Sequence, residues 1–344
     1  MRIGVLTAGG DCPGLNAAIR AVARSAMQQG DEVIGIRRGY RGLAEGDYLP
    51  LEMPRVTGIL HQGGTILSTS SFEPIREGAV EEVAAGFEQQ RLDAVVAIGG
   101  EHTMEITRQL HAEHGLPLVG VPKTIDNDVA GTDFTFGFDT AVQIVTDAID
   151  RLHTTAQSHD RIMVVEVMGR NTGWIAAYAG IAGGADCIVI PEQTTTVEEM
   201  CADVTRRHDR GKDFSIIVVA EGAKLAFASG EERLIQPIKE SDEYGYPRLG
   251  GIGAAVATEL ERLTGYETRV TVLGHVQRGG TPTSTDRILA TLYGAKAYEM
   301  AKAGEFGRMA AIRGNQMTSV PLADAVHVKY VDLAMLEIAK RFFT

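Results

Sequence analysis

Residues 3–20 read IGVLTAGGDCPGLNAAIR. A strand-length apolar run is followed by the turn Gly9-Gly10-Asp11-Cys12-Pro13-Gly14, then by a helical stretch with Leu15, Ile19, Val22 and Ala26 on one face. A strand feeding a helix through a glycine turn opens a βαβ unit. The alternation recurs: EVIGI at 32–36, DAVVAI at 93–98, LPLVGV at 116–121, RIMVVEV at 161–167, CIVI at 187–190, FSIIVVA at 214–220 and TRVTVL at 268–273 are Val/Ile-rich runs parted by helical patterns. This predicts an α/β protein with mostly parallel sheets flanked by helices. About eight parallel strands and 40 glycines are more than one open sheet usually carries, so two lobes are expected. The polar stretch 223–250 has no clear period and reads as a long surface excursion.

Composition narrows the function classes. The net charge is −12 and no run of five basic residues occurs, which disfavours a nucleic-acid or anionic-membrane partner. Cys12, Cys187 and Cys201 show no CxxC spacing, so neither a disulfide framework nor a zinc knuckle is expected, and a reducing cytoplasmic setting fits. The apolar region 173–190 is broken by Gly183, Gly184 and Asp186 and does not read as a membrane span. The N-terminus turns glycine-rich too early for a signal peptide.

Ligands of parallel sheets bind outside the carboxyl ends of the strands, so the residues there matter most. After the first strand, Gly9 and Gly10 let backbone N–H groups approach a phosphate at a helix N-terminus; the run matches neither GxxxxGKS/T nor GxGxxG, and a purely structural tight turn explains it as well. Gly99-Gly100-Glu101-His102-Thr103 follows another strand; Glu101 suits a hard cation such as Mg²⁺, and the alternative is an ordinary turn with Thr103 as N-cap. Pro122-Lys123-Thr124-Ile125-Asp126-Asn127-Asp128 concentrates a cation, a hydroxyl and two carboxylates, which phosphoryl transfer needs as charge, base and metal-side acid; the alternative is an Asx-capped loop. Met168-Gly169-Arg170, Glu221 and His275-Val276-Gln277-Arg278 close three further strands, with Arg161 and Arg269 at strand starts. Converging guanidiniums suit a phosphomonoester.

Taken together, LTAGGDCPGLNAAIR, GGE at 99–101, PKTIDND at 122–128, GFDTA at 137–141, SHDR at 158–161, VEVMGR at 165–170, AEGA at 220–223 and LGHVQRGG at 273–280 resemble the phosphofructokinase family, in order, along nearly the whole chain. Glu101 and Lys123 look most like the actinobacterial group that holds both ATP-using and pyrophosphate-using members. The resemblance implies phosphorylation of the C1 hydroxyl of fructose 6-phosphate with ATP or pyrophosphate and Mg²⁺, in a homodimer or homotetramer. It implies a donor-binding lobe of 1–137 plus about 277–327 and a sugar-phosphate lobe of about 138–276 plus 328–344. Asp126 matches the catalytic base, with Thr124 and Arg170 beside it in catalysis. Gly9, Gly10, Gly100, Glu101, His102, Thr103 and Lys123 match the donor side, and Glu101 and Asp128 the metal side. The sugar-phosphate side matches Thr124, Ile125, Asp126, Met168, Gly169, Arg170, Glu221, His275 and Arg278, with Arg161 and Arg269 reaching in from a neighbouring subunit. A related acceptor such as sedoheptulose 7-phosphate, or a catalytically weak sugar-phosphate-binding paralogue, is the alternative.

Three departures from the family pattern bear on these expectations. His102 stands where ATP users carry Gly and pyrophosphate users Asp, and Ser71 where an Arg is common. Arg20, Arg24, Asp186 and Lys212 match effector positions, but Met53 and His153 replace arginines there. Outside the motifs, His111 and His114 are expected to be solvent-exposed, Cys12 a packed turn residue, and Trp174 lobe core.

Overall fold

A computed structural model describes residues 1–235 and 249–343. In chain order the strands are β1 (Arg2–Thr7), β2 (Glu32–Ile36), β3 (Tyr48–Pro50), β4 (Ala94–Gly99), β5 (Leu118–Thr124), β6 (Phe136–Gly137), β7 (Ile162–Val167), β8 (Cys187–Val189), β9 (Ser215–Ala220), β10 (Lys224–Ala226), β11 (Glu232–Leu234), β12 (Thr268–Val272), β13 (Arg308–Arg313) and β14 (Gln316–Pro321). They fall into two compact units, Met1–Thr140 with Arg278–Lys329 and Ala141–Gln277 with Tyr330–Thr344.

The first unit is built on a sheet of order β14-β13-β5-β4-β1-β2-β3, with β6 added beside β5. β13, β5, β4, β1 and β2 run parallel, and β14 and β3 close the two edges antiparallel. β4 is buried along its whole length, as expected of a central strand covered on both faces. Helix Leu15–Gln28 buries the Leu15, Ile19, Val22 and Ala26 face that the sequence marks. The opposite layer packs Leu6, Ile36, Tyr40, Val95, Leu110 and Leu118 into one core, where the Tyr40 hydroxyl finds Thr107 Oγ1 at 2.7 Å.

The second unit holds a wholly parallel sheet, β12-β7-β9-β8. β7 and β9 are buried at every residue, and the charge within β7, Glu166, is satisfied by accepting from Gly251 N at 3.0 Å and Gly253 N at 2.8 Å at the start of helix Ile252–Thr264. A carboxylate there meets the positive end of a helix, which makes its burial tolerable.

All eight expected runs contain a strand, each paired parallel with a neighbour. Four expectations need correction. The 223–250 stretch opens as an antiparallel β10–β11 hairpin that buries Leu225 and Ala226, while 236–248 lie outside the described residues. Thr103 is not an N-cap: Gly100 occupies that position, and Thr103 is buried in the first helical turn. His111 is half-buried, with Nδ1 2.8 Å from Leu116 O and its ring over Gly307. Trp174 is half-buried at a helix start, tilted against Tyr178. Cys12 is packed as expected, and burial drives its thiol pKa well above the ordinary range. Among the described residues no helix is long and apolar enough to cross a membrane.

Candidate active site

The loop after β1 is held by a strap that the sequence does not reveal. Gly9 N donates to Ser70 O at 3.0 Å and Thr69 Oγ1 to Gly9 O at 2.5 Å. Asn16 Nδ2 donates to Gln62 O and Gly63 O, and Asn16 Oδ1 accepts from Ile66 N. Two cations converge on Gly10. Lys123 Nζ donates to Gly10 O, and a methyl group on Gly10 would lie 1.8 Å from Arg278 Nη1, so a larger residue there would displace that guanidinium. Burial lowers the Lys123 pKa, and Arg278 Nε is buried with no hydrogen-bond partner among the described residues.

The end of β5 carries the carboxylates. Thr124 Oγ1 accepts from Asp126 N at 3.0 Å, and Thr135 Oγ1 donates to Thr124 O at 2.8 Å. Asn127 takes a left-handed conformation, φ +51°, which asparagine tolerates better than most residues. Ile125 and Asn127 are thereby buried while Asp126 and Asp128 stay partly exposed. Burial, then the charges of Asp126 and Glu101, pushes the Asp128 pKa up to about 7, with Lys329 acting the other way. Glu101, in the first turn of the helix after β4, is raised by burial as well. Glu101, Asp126 and Asp128 therefore share one electrostatic neighbourhood rich in negative charge. Hard oxygen donors of this kind suit Mg²⁺, which takes one or two carboxylates and completes its shell with water and phosphate oxygens. Among the described residues no group of three or more His, Cys, Asp or Glu side chains is placed to hold a metal ion by itself.

His102 does not stand alone. Its Nε2 is 3.3 Å from Glu73 Oε2, and Arg76 Nε lies 3.6 Å from the same oxygen. Ser71 sits two residues before Glu73 in the same strap, partly exposed.

In the second unit the strand ends are laced together by backbone. Glu221 N donates to Val167 O at 2.8 Å and Gly222 N to Gly169 O at 3.0 Å; a methyl group on Gly222 would fall 1.8 Å from Arg170 O. Buried Gln277 accepts from Met168 N at 3.3 Å and donates to Gly274 O at 3.0 Å, fixing the short helical turn that carries exposed His275. Met168, Gly169, Arg170, Glu221 and His275 are thus gathered at the carboxyl ends of β7, β9 and β12. Arg161 and Arg269 are not gathered with them. They lie at the starts of β7 and β12 and share Glu267, Arg161 Nε at 2.9 Å. A strand of six residues separates the two ends by roughly 20 Å.

Of the effector-like positions, Arg24, Met53, His153 and Asp186 have internal partners. Arg24 Nε and Nη2 lie 3.4 Å from Met53 Sδ, His153 Nε2 is 2.6 Å from Gly183 O, and Asp186 meets Arg207 at 2.7 Å; Lys212 is exposed. Sequence reasoning overlooked Glu73, Lys329 and Asp286. Lys329 Nζ donates to Asn127 Oδ1, and Asp286 accepts from Gly137 N and Thr140 N at 2.8 Å.

Parallel sheets whose carboxyl ends bear glycine loops, a buried lysine and clustered carboxylates define an α/β protein with an anion-handling site. The chain belongs to the phosphofructokinase family, whose model (Phosphofructokinase) matches residues 2–301. It is 52% identical over 334 residues, 95% of both chains, to ATP-dependent 6-phosphofructokinase 3 of Streptomyces coelicolor. It is 49% identical over 346 residues, the full length of both, to the pyrophosphate–fructose 6-phosphate 1-phosphotransferase of the same organism. The crystal structure of a pyrophosphate-dependent phosphofructokinase from Nitrosospira multiformis shares the fold, with a TM-score of 0.83 at 20% identity over 96% of this chain and 86% of that one.

Proposed function

We propose that the protein transfers a phosphoryl group from ATP or pyrophosphate to the C1 hydroxyl of fructose 6-phosphate. The observation that carries this reading is the end of β5, where Asp126 and Asp128 flank a fixed left-handed turn beside Glu101. Asp126 takes the proton of the C1 hydroxyl as its oxygen bonds to phosphorus and the bond to the leaving ADP or phosphate oxygen breaks. Thr124 orients Asp126 through its backbone N–H. Lys123 and the Gly9–Gly10 loop receive the donor phosphates, helped by Gly100 and Thr103 around the β4 turn. Asp128 and Glu101 would hold Mg²⁺, which when bound neutralises charge on the donor oxygens. The Met1–Thr140 unit with Arg278–Lys329 is the donor lobe, and the other unit grips the sugar phosphate through Met168, Gly169, Arg170, Glu221 and His275. Arg278 belongs by sequence match to that grip, and Arg161 and Arg269 serve a neighbouring copy in a homodimer or homotetramer.

Relatives named for ATP and for pyrophosphate match the chain about equally, so neither donor is preferred. The test is an activity grid of ATP and pyrophosphate against fructose 6-phosphate and sedoheptulose 7-phosphate, with Mg²⁺. Fructose 1,6-bisphosphate should form with at least one donor. Saturable sugar-phosphate binding without product would overturn the reading in favour of a binding paralogue, and preference for the seven-carbon sugar would change the acceptor.

A further inference from the structure

Lys329 stands 202 positions after Asn127 in the chain, yet its ammonium is built into the turn that spaces Asp126 from Asp128. Nζ donates to Asn127 Oδ1 at 3.0 Å, Thr132 O at 3.1 Å and Asp133 O at 2.8 Å. An ammonium carries three donors, these three acceptors are neutral oxygens, and the charges of Asp128 and Asp133 act on the same group. The backbone follows the same course: Lys329 N donates to Asp128 O at 2.8 Å, Ala130 N to His327 O at 3.2 Å, and Val129 bridges Val328. Asn127 Oδ1 also accepts from Thr135 N at 3.0 Å, so its amide is held from two sides in the left-handed conformation. A side chain pinned in this way fixes the peptide planes on both sides of it, and those planes aim the neighbouring carboxylates.

We infer that Lys329 is a positioning residue for phosphoryl transfer: from beneath the turn, its ammonium holds Asn127 and thereby the spacing of Asp126 and Asp128. The inference rests on the function proposed above. It follows that a point-like cation is required at this place. A planar guanidinium cannot direct donors at three oxygens converging on one atom, and a neutral side chain leaves them without their donor.

The experiment compares wild type with Lys329→Ala, Lys329→Met and Lys329→Arg, each first checked for folding by circular dichroism and melting temperature. Expected is a fall in kcat of about tenfold or more in all three, with KM for fructose 6-phosphate changed less than about threefold, because binding groups elsewhere are untouched. Methylammonium should restore part of the kcat of Lys329→Ala, where space is left for it, and none in Lys329→Met, where the methionine fills that space. A folded Lys329→Ala with wild-type kcat, or one whose loss appears only in KM and is indifferent to methylammonium, overturns the role of Lys329 alone. Absence of turnover in wild type overturns the function reading and this role with it.

Discussion

The two units place their charge differently. In the first, charged side chains around the strand ends are tied to the chain itself: Lys123 to Gly10 O, Lys329 to Asn127, Asp286 to Gly137 and Thr140. In the second, backbone hydrogen bonds and a buried glutamine fix the loops, but Arg161 and Arg269 sit a strand's length from Arg170, sharing the half-exposed Glu267. Surface ion pairs of that kind contribute little, so leaving Glu267 for a phosphate costs those arginines little. On the proposed function, the groups expected at the reacting centre come from one chain, whereas two cations expected to grip the sugar phosphate, Arg161 and Arg269, lie at the opposite ends of their strands from Arg170.

The largest effect expected follows from that contrast. Asp126→Asn should lower turnover by about 10²–10⁴-fold while sugar phosphate still binds, since only the proton acceptor is lost. Arg161→Ala should also impair activity, by weakening sugar-phosphate binding. Mixed and subunit-exchanged, the two inactive proteins should regain activity, because some sites then combine an intact Asp126 from one copy with an intact Arg161 from another. If exchanged oligomers stay as inactive as their parents, Arg161 acts within its own chain or not at all, and the contrast between a complete side and a shared side fails.

How legible this was depended on range. The parallel strands were readable because β7 and β9 are near-continuous apolar runs buried on both faces, Glu166 and Ser215 apart, a signal contained in six residues. β13 (RMAAIR) and β14 (QMTSVP) were missed: alanines blur the helix–strand distinction in one, and the other is half-exposed with polar residues on both faces. The carboxylates after β5 stood out because a charged cluster directly after an apolar strand is unusual. Lys329 and Glu73 carried no such signal, since what gives them meaning is a contact with Asn127 or His102 that no local spacing encodes. His111 was misjudged for the same reason: its polar neighbours are local, while Gly307, which its ring covers, is distant.

The next effect sharpens the account of the first unit, by asking whether its tied charges also select the donor. His102 is bulkier than Gly and lacks the fixed charge of Asp, while Glu73 sits 3.3 Å from its Nε2 and adds an acidic partner; its ring is expected to face the donor. Replacing His102 with Gly should raise kcat/KM for ATP relative to pyrophosphate, and His102→Asp should lower it, each by roughly 5- to 150-fold. Glu73→Gln should move the ratio in the direction of ATP by less than His102→Gly does. Equal ratios in wild type and all variants, at one pH and Mg²⁺ concentration, would mean that the ring faces away from the donor.

The last effect leaves turnover alone and appears only in stability. It compares two of the buried carboxylates, one from each unit: Glu166, which caps a helix, and Asp286, which accepts from Gly137 N and Thr140 N at 2.8 Å and from Thr140 Oγ1 at 2.5 Å. Burial pushes the Asp286 pKa up to about 6, although three hydrogen bonds pull it down. A carboxyl raised in the folded state holds its proton there when the unfolded chain has released it. Its contribution to stability is therefore full below the ordinary value of 3.8 and is lost as pH rises through about 6. The loss amounts to about 3 kcal/mol across that window, or a few degrees of melting temperature in a chain of this size. Asp286→Asn cannot ionise. It should melt lower than wild type at pH 4, where it offers the N–H and O–H donors fewer acceptors, and the gap should narrow steadily towards pH 7. Melting curves that stay parallel from pH 4 to 7 would show that the three hydrogen bonds outweigh burial and that Asp286 is ionised throughout, making it the same kind of fixed anion as a helix cap.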